Sequence, residues 1–412
     1  MNWVCALILL ALSLNVFANE STKSNPLKPT VIVLSWDGMR FDFPDRDKYP
    51  GLQRLEKEGV RAKSLIPVYP SSTFPTHVSM ATGALPGVHG IMDNQFYDQQ
   101  KGHYSYNGDA IWLDAEPVWI SAERQGIKSA TFFWVSSDTD WQGQGTSYRI
   151  APFDDATTEV TKVDQIISWI DLPESERPQL IMSYWQGADD VAHSKGPMHP
   201  DVDARIHEQD KQLVRLLDAL DNRNLWASTT LIIVSDHGMS EVNQVIDIDS
   251  IIKESGIEVI ISGRNAVKHL FLDSSNSDRY DSDQKSLIEL LSKVPNIKVF
   301  ARSELPESFN FVHPTRTGDI VVTTEAPYLL TKKTFILEAQ KLIAPIMGWK
   351  AGAHGYSVHH TEMHSIFFAM GRGVNSDLDL GHVNQLQIAP TITDLLGIEP
   401  PLHATGSPIQ LD

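Results

Sequence analysis

Six residues of two metal-binding types stand near the ends of apolar runs in this chain. VIVLSW is followed by Asp37, LIMSYWQGA by Asp189 with His193 four residues on, and LIIVS by Asp236 and His237, while AGAHGY presents His354 much later. Three carboxylates and three imidazoles match the ligand count of a two-metal hydrolytic site, and the absence of cysteine among them leaves such a site open to exchangeable oxyanions. Asp189 and His193 have the D-x-x-x-H spacing that puts both side chains on one side of a helical turn. Between the first two clusters lies VYPSSTFPTH, whose Thr73 is a candidate nucleophile, with Ser71 and Ser72 as rival hydroxyls. A free hydroxyl hardly ionises near neutrality, so Thr73 needs a metal, with a helix N-terminus adding a smaller push.

These residues must be carried to one place by the elements around them. Short apolar, β-branched runs alternate with amphipathic stretches, which predicts an α/β fold with an open, mostly parallel central sheet flanked by helices. In such sheets ligands bind beyond the carboxyl ends of the strands, where residues distant in sequence meet. An aspartate at a strand end also has a plain reading as a cap for the next helix, and Thr73 has one as an N-cap. PGLQRLEKEGV, FPTHVSMATG, TTEVTKVDQIISWIDL and HPDVDARIHEQDKQLVRLLDALDNR read as helices. The last is scaffold by its leucine spacing, and His207 within it is assigned to surface or core. From about residue 241 to 350 a helix-like DQKSLIELLSK is followed by β-like NIKVF and GDIVVTT, which predicts a small inserted α+β subdomain within one catalytic domain spanning 30–412.

The 412 residues are 42% apolar and carry a formal charge of −18. That acidity excludes a nucleic-acid groove or an anionic membrane surface, both of which rely on clustered Lys and Arg. A phosphate remains a possible ligand if metals supply positive charge, since two divalent cations outweigh three aspartates by about one unit. Residues 1–18, MNWVCALILLALSLNVFA, resemble a secretory signal peptide; the run is short for a bilayer span. Residues 19–29 read as a linker. Cys5, the single cysteine, would leave with the peptide. The expected product is a periplasmic or secreted protein without disulfides and with no stable membrane anchor, a monomer being favoured.

The segment VYPSSTFPTHVSMATGALPGVHGIMDNQFYD closely resembles the nucleophile region of the nucleotide pyrophosphatase/phosphodiesterase family, within the alkaline phosphatase superfamily. The similarity continues through WIDLPESERP, DDVAHSKGP, VSDHGMSEV and AGAHGY. It implies an alkaline-phosphatase-like fold and two Zn²⁺ per chain. Asp37, Asp236, His237 and the Thr73 hydroxyl would hold one ion; Asp189, His193 and His354 would hold the other. Thr73 would attack phosphorus to give a phosphothreonine, and Asn94 would hold a non-bridging oxygen. Monoesterases of the superfamily commonly place an arginine there, so a neutral donor suits a diester, which carries one negative charge fewer. Phe74 and Phe153 align with the aromatic pair that stacks on a nucleobase, Phe153 standing where tyrosine is usual. FFWVSSDTD departs from the family's FFWPGS. The expected reaction is hydrolysis of nucleotide phosphodiesters or pyrophosphates to a nucleoside monophosphate. A choline-phosphodiester or lysophospholipid hydrolase is the alternative, followed by a phosphate monoesterase or a noncatalytic binding protein of the same fold. A sulfatase would need a C/S-x-P-x-R element, which PSSTFPTH lacks.

Overall fold

A computed structural model describes residues 28–273, 277–332 and 350–412. The signal-peptide reading of residues 1–18, and all but the last two residues of the expected linker, lie outside these. Among the described residues, no helix is long and apolar enough to cross a membrane.

Seven strands form the central sheet, in the order Val60–Arg61, Phe367–Gly371, Thr229–Val234, Thr30–Trp36, Leu180–Trp185, Ser129–Phe132 and Tyr148–Ile150. The last five run parallel, and Phe367–Gly371 pairs antiparallel with both of its neighbours. Successive side chains of a strand point to opposite faces, and in this sheet both faces are buried. Val31 and Val33 therefore join one core with Leu180, Met182, Ile232 and Val234, while Ile32, Leu34 and Trp36 join the other with Ile181, Leu231 and Ile233. This arrangement explains why the strands read as unbroken apolar runs rather than alternating ones.

Helices Pro50–Glu58, Glu159–Ile170 and Pro200–Asn222 cover one face, and helices Thr73–Thr82, Val118–Arg124 and Ile388–Leu396 cover the other. The long helix Pro200–Asn222 buries Val202, Ile206, Leu213, Leu216 and Leu220. Its buried Asp210 also accepts the backbone N–H groups of Gly51 and Leu52, both at 2.9 Å, and so caps the Pro50 helix from outside. His207 faces outward and pairs with Asp47 at 3.0 Å.

Between the strands Ser240–Val242 and Ala351–Ala353 the chain makes an excursion. It contains a four-stranded antiparallel sheet, ordered Val259–Ser262, Val267–Leu272, Ile320–Thr324, Ile297–Ala301, and helices Ile248–Ser255 and Ser277–Leu291. Leu270, Leu287, Leu291, Ile320 and Val322 give it a core of its own. The two strands that bound it pair antiparallel, Ser240 opposite Ala353 and Val242 opposite Ala351. This pairing returns the chain to its point of departure and sets His354 beside His237.

Candidate active site

The parallel strands end at one edge of the sheet, and the six ligand-type residues gather there. Asp37 directly follows the strand Thr30–Trp36, and Asp236 stands two residues beyond Thr229–Val234. Asp189 does not end its strand directly; three residues intervene, and it opens the helix Asp189–Lys195, which carries His193 one turn on. A close crossing makes this possible. Gly187, at φ +64°, passes so near Asp37 that a β-carbon there would lie 1.8 Å from the Asp37 carbonyl oxygen. The neighbouring Ala188 N–H donates to that same oxygen at 3.2 Å.

Two groups result, Asp37 with Asp236 and His237, and Asp189 with His193 and His354, each with ligand atoms within 4.8 Å of one another. The His237 and His354 rings stack at 3.6 Å between centroids, so the groups adjoin. In every histidine Nδ1 donates to a backbone carbonyl: His193 to Gly352 at 2.8 Å, His237 to Gly238 at 2.9 Å, His354 to Ser71 at 3.0 Å. With the proton on Nδ1, the lone pair of Nε2 faces the cluster. The carboxylates of the first group are tethered by one oxygen each. Asp37 Oδ2 accepts from the Tyr184 hydroxyl at 2.6 Å, and Asp236 Oδ1 accepts from Gly38 N and His237 N at 3.1 and 2.9 Å.

Whether these residues suit metal ions can be judged from the oxygens left over. Asp37 Oδ1, Asp236 Oδ2 and Asp189 Oδ1 are buried and have no hydrogen-bond partner among the described residues. A buried carboxylate oxygen without a partner is costly unless a cation meets it. Burial, then the charges of Asp236 and Asp189, push the Asp37 carboxyl well above its ordinary pKa. Burial, then His237 and His193, hold His354 well below its own. Divalent cations require neutral imidazole and ionised carboxylate, and a cation beside Asp37 would offset the burial and repulsion that raise its pKa, so the donor set fits them.

Thr73 is the first residue of its helix, and Ser72 takes the N-cap position. The Thr73 hydroxyl lies 3.2 Å from His237 Nε2 and so points into the first group. The rival hydroxyls point elsewhere: Ser71 Oγ donates to Tyr356 O at 2.9 Å, and Ser72 bonds to the buried Asp93. Asn94 Oδ1 accepts the Phe74 N–H at 2.8 Å, which fixes the orientation of the amide and turns Nδ2, with its two hydrogens, toward the Tyr106 hydroxyl. Thr73 and Asn94 line a cleft of about 710 Å³. Its wall includes Phe74 and the 46% exposed Phe153, which packs edge-on against Phe133 at 5.3 Å and Tyr184 at 5.7 Å.

Four neighbours escape a reading of the sequence. Tyr184 tethers Asp37; Asp93, Tyr106 and Arg264 join the Asn94 loop to the excursion. Tyr184 leaves a trace, a polar-tipped aromatic in an otherwise apolar buried strand five residues before Asp189. Asp93 leaves one too, as the neighbour of Asn94 in the MDN stretch, whereas Tyr106 and Arg264 act through contacts between distant segments and leave none.

The family model for type I phosphodiesterase / nucleotide pyrophosphatase matches residues 31–357. An uncharacterised pyrophosphatase/phosphodiesterase of Schizosaccharomyces pombe is 30% identical over 370 residues, covering 84% of this chain and 72% of that protein. Venom phosphodiesterase 2 of Crotalus adamanteus is 26% identical over 90% of this chain, which spans only 45% of the venom protein. Among solved structures, murine ectonucleotide pyrophosphatase/phosphodiesterase 5, an inactive variant in complex with AMP, superposes with a TM-score of 0.80 at 25% identity, over 92% of this chain and 98% of that one.

Proposed function

Because the chain belongs to the type I phosphodiesterase / nucleotide pyrophosphatase family, we propose that it hydrolyses phosphodiester or pyrophosphate bonds of nucleotides and their derivatives and releases a nucleoside monophosphate. The observation that carries this reading is the convergence of the Thr73 hydroxyl, two three-ligand groups and the oriented Asn94 amide on one aromatic-walled cleft. Two zinc ions would be held by Asp37, Asp236 and His237 with the Thr73 hydroxyl, and by Asp189, His193 and His354. Bound there, they supply Lewis acidity that lowers the pKa of the nucleophile and stabilises the departing oxygen.

The chain's own groups carry the rest. Thr73 Oγ1 bonds to phosphorus as the bond to the leaving oxygen breaks in line, giving a phosphothreonine that water then hydrolyses. The helix N-terminus under Thr73 favours the negative charge that gathers there. Asn94 Nδ2 donates to a non-bridging oxygen without adding charge, which matches a diester better than a monoester. Phe74 and Phe153 present ring faces to the base. The AMP complex of the murine relative supports a nucleotide in a cleft of this kind. Export to the periplasm or medium belongs to the same proposal.

Purified protein should cleave the nitrophenyl ester of thymidine monophosphate much faster than nitrophenyl phosphate; equal or reversed rates would sink the proposal. The acidic side chains of Asp138, Asp155 and Asp190 on the cleft wall favour a second reading, a cationic choline phosphodiester. Release of phosphocholine from glycerophosphocholine at a rate above that of the nucleotide ester would establish it.

A further inference from the structure

We propose that Arg264, carried into the cleft by the excursion, is a specificity residue that binds the anionic phosphate of the leaving group, and so directs the enzyme toward nucleotide pyrophosphates. The inference rests on the functional reading above and adds to it the charge of the leaving group.

The cleft wall is acidic. Beyond the candidate ligands Asp37 and Asp189 it includes Asp93, Asp138, Asp155 and Asp190, and Arg264 is its only arginine or lysine among the described residues. Despite this company, Arg264 makes no ion pair among the described residues. Its guanidinium meets the Tyr106 hydroxyl through Nη1 and lies over the Tyr106 ring, 5.7 Å from the centroid. Those contacts use one of the five donors of the fork; the side chain is otherwise exposed at the lip of the cleft. A planar guanidinium with free donors is the group best matched to a phosphate.

Its placement is tied to the groups expected to handle the scissile phosphate. Asp93, 2% exposed, accepts the Asn94 N–H on Oδ1 at 2.7 Å and the Arg264 N–H on Oδ2 at 2.9 Å. One buried carboxylate thus brackets the Asn94 loop to the excursion. The Asn94 carbonyl accepts the Tyr106 N–H at 2.9 Å, closing a ring of contacts through Asp93, Asn94, Tyr106 and Arg264. Two residues beyond Arg264, Ala266 lies against the His354 loop: a β-carbon built on Gly355 would sit 3.8 Å from that of Ala266. Arg264 therefore stands beside the group formed by Asp189, His193 and His354, the group that does not hold the Thr73 nucleophile and so falls to the departing oxygen.

With ATP as substrate, the bond from Thr73 Oγ1 to the α-phosphorus forms while the bond from that phosphorus to the bridging oxygen breaks. The electron pair leaves on the bridging oxygen, and pyrophosphate departs with an added negative charge. Arg264 offers charge-assisted hydrogen bonds to that anion, whereas a nitrophenolate offers it no phosphate oxygens to hold.

The test compares ATP with the nitrophenyl ester of thymidine monophosphate in the metal-loaded, full-length protein. Arg264→Gln should lower kcat/KM for ATP by about 10- to 100-fold, the range for loss of a charge-assisted hydrogen bond, and that for the ester by less than about threefold. Arg264→Lys should recover part of the loss, and Tyr106→Phe should produce a smaller shift in the same direction. Calorimetry on Thr73→Ala protein provides a readout apart from turnover: it should bind ATP more tightly than AMP, and adding Arg264→Gln should erase that preference. Equal losses on both substrates, or an unchanged preference for ATP over AMP, would overturn the role of Arg264 while leaving the functional reading intact. A wild-type protein inactive on both substrates would overturn the functional reading, and this inference with it.

Discussion

At the level of single residues, the cluster is built so that five of the six candidate ligands are held by one atom and offer another. The three imidazoles are fixed through Nδ1, and Asp37 and Asp236 through one oxygen each. Removing a tether should therefore weaken metal binding without removing a ligand. Tyr184→Phe deletes the 2.6 Å bond to Asp37, and a competing chelator should report a zinc affinity lowered about 10- to 100-fold. Thr73→Ala, in contrast, should reduce turnover of the nucleotide ester by at least about 1,000-fold. Elemental analysis should still find metal in that variant, because six other ligands remain. The six candidate ligands and Thr73, which the structure brings together, can be picked out of the sequence because each sits near a strand end, at a helical spacing or in a distinctive motif. Tyr184, Asp93 and Arg264 gain their roles from partners 147, 171 and 158 residues away, and one-dimensional spacing holds no record of such meetings.

At the level of elements, the helices and parallel strands could be read from periodicity, since the pattern of each is local. The order of strands in the sheet could not, because parallel neighbours such as Thr30–Trp36 and Leu180–Trp185 lie about 150 residues apart. Nor could the crossing at Gly187, whose necessity comes from a backbone that arrives from elsewhere. Gly187→Ala would drive a β-carbon to within 1.8 Å of the Asp37 carbonyl and strain a φ of +64°. The expected loss is about 2–4 kcal/mol, together with weaker metal binding at both groups; denaturant titration and metal analysis would check the two effects. Asp210 acts between elements in a similar way. Asp210→Ala would leave the N–H groups of Gly51 and Leu52 without their acceptor, for a cost of about 1–3 kcal/mol, measurable by the same titration with activity largely kept.

For the molecule as a whole, acid stability should be set in part by histidines away from the cleft. Burial, then nearby Arg316, lowers the pKa of His89 to about 3, and burial, then Arg302, lowers that of His269 to about 4. In the unfolded chain both return to about 6.5. Below that pH the unfolded state binds more protons than the folded one, so stability is complete above about pH 6.5 and falls as pH drops toward 3. Thermal melts between pH 7 and pH 4, run with chelator present so that metal release does not contribute, should show a steadily falling midpoint; a flat profile would contradict it.

The short ladder between Ser240–Val242 and Ala351–Ala353 has a consequence for how such an enzyme can change. It works as a clasp: the chain leaves and re-enters the catalytic body through one pair of strands, so the distance between His237 and His354 does not depend on what is strung between them. Much of the excursion is packed into the catalytic body, with Ala266, Val267, Phe311 and Val321 in its core and the buried Arg316 paired with Asp98 at 2.7 Å. Length can change at the modest entropic cost of closing a different loop only at solvent-facing turns such as that around Gly256. Under the role proposed for Arg264, the reaction centre and the group that selects its substrate are set by different parts of one chain, joined at that clasp.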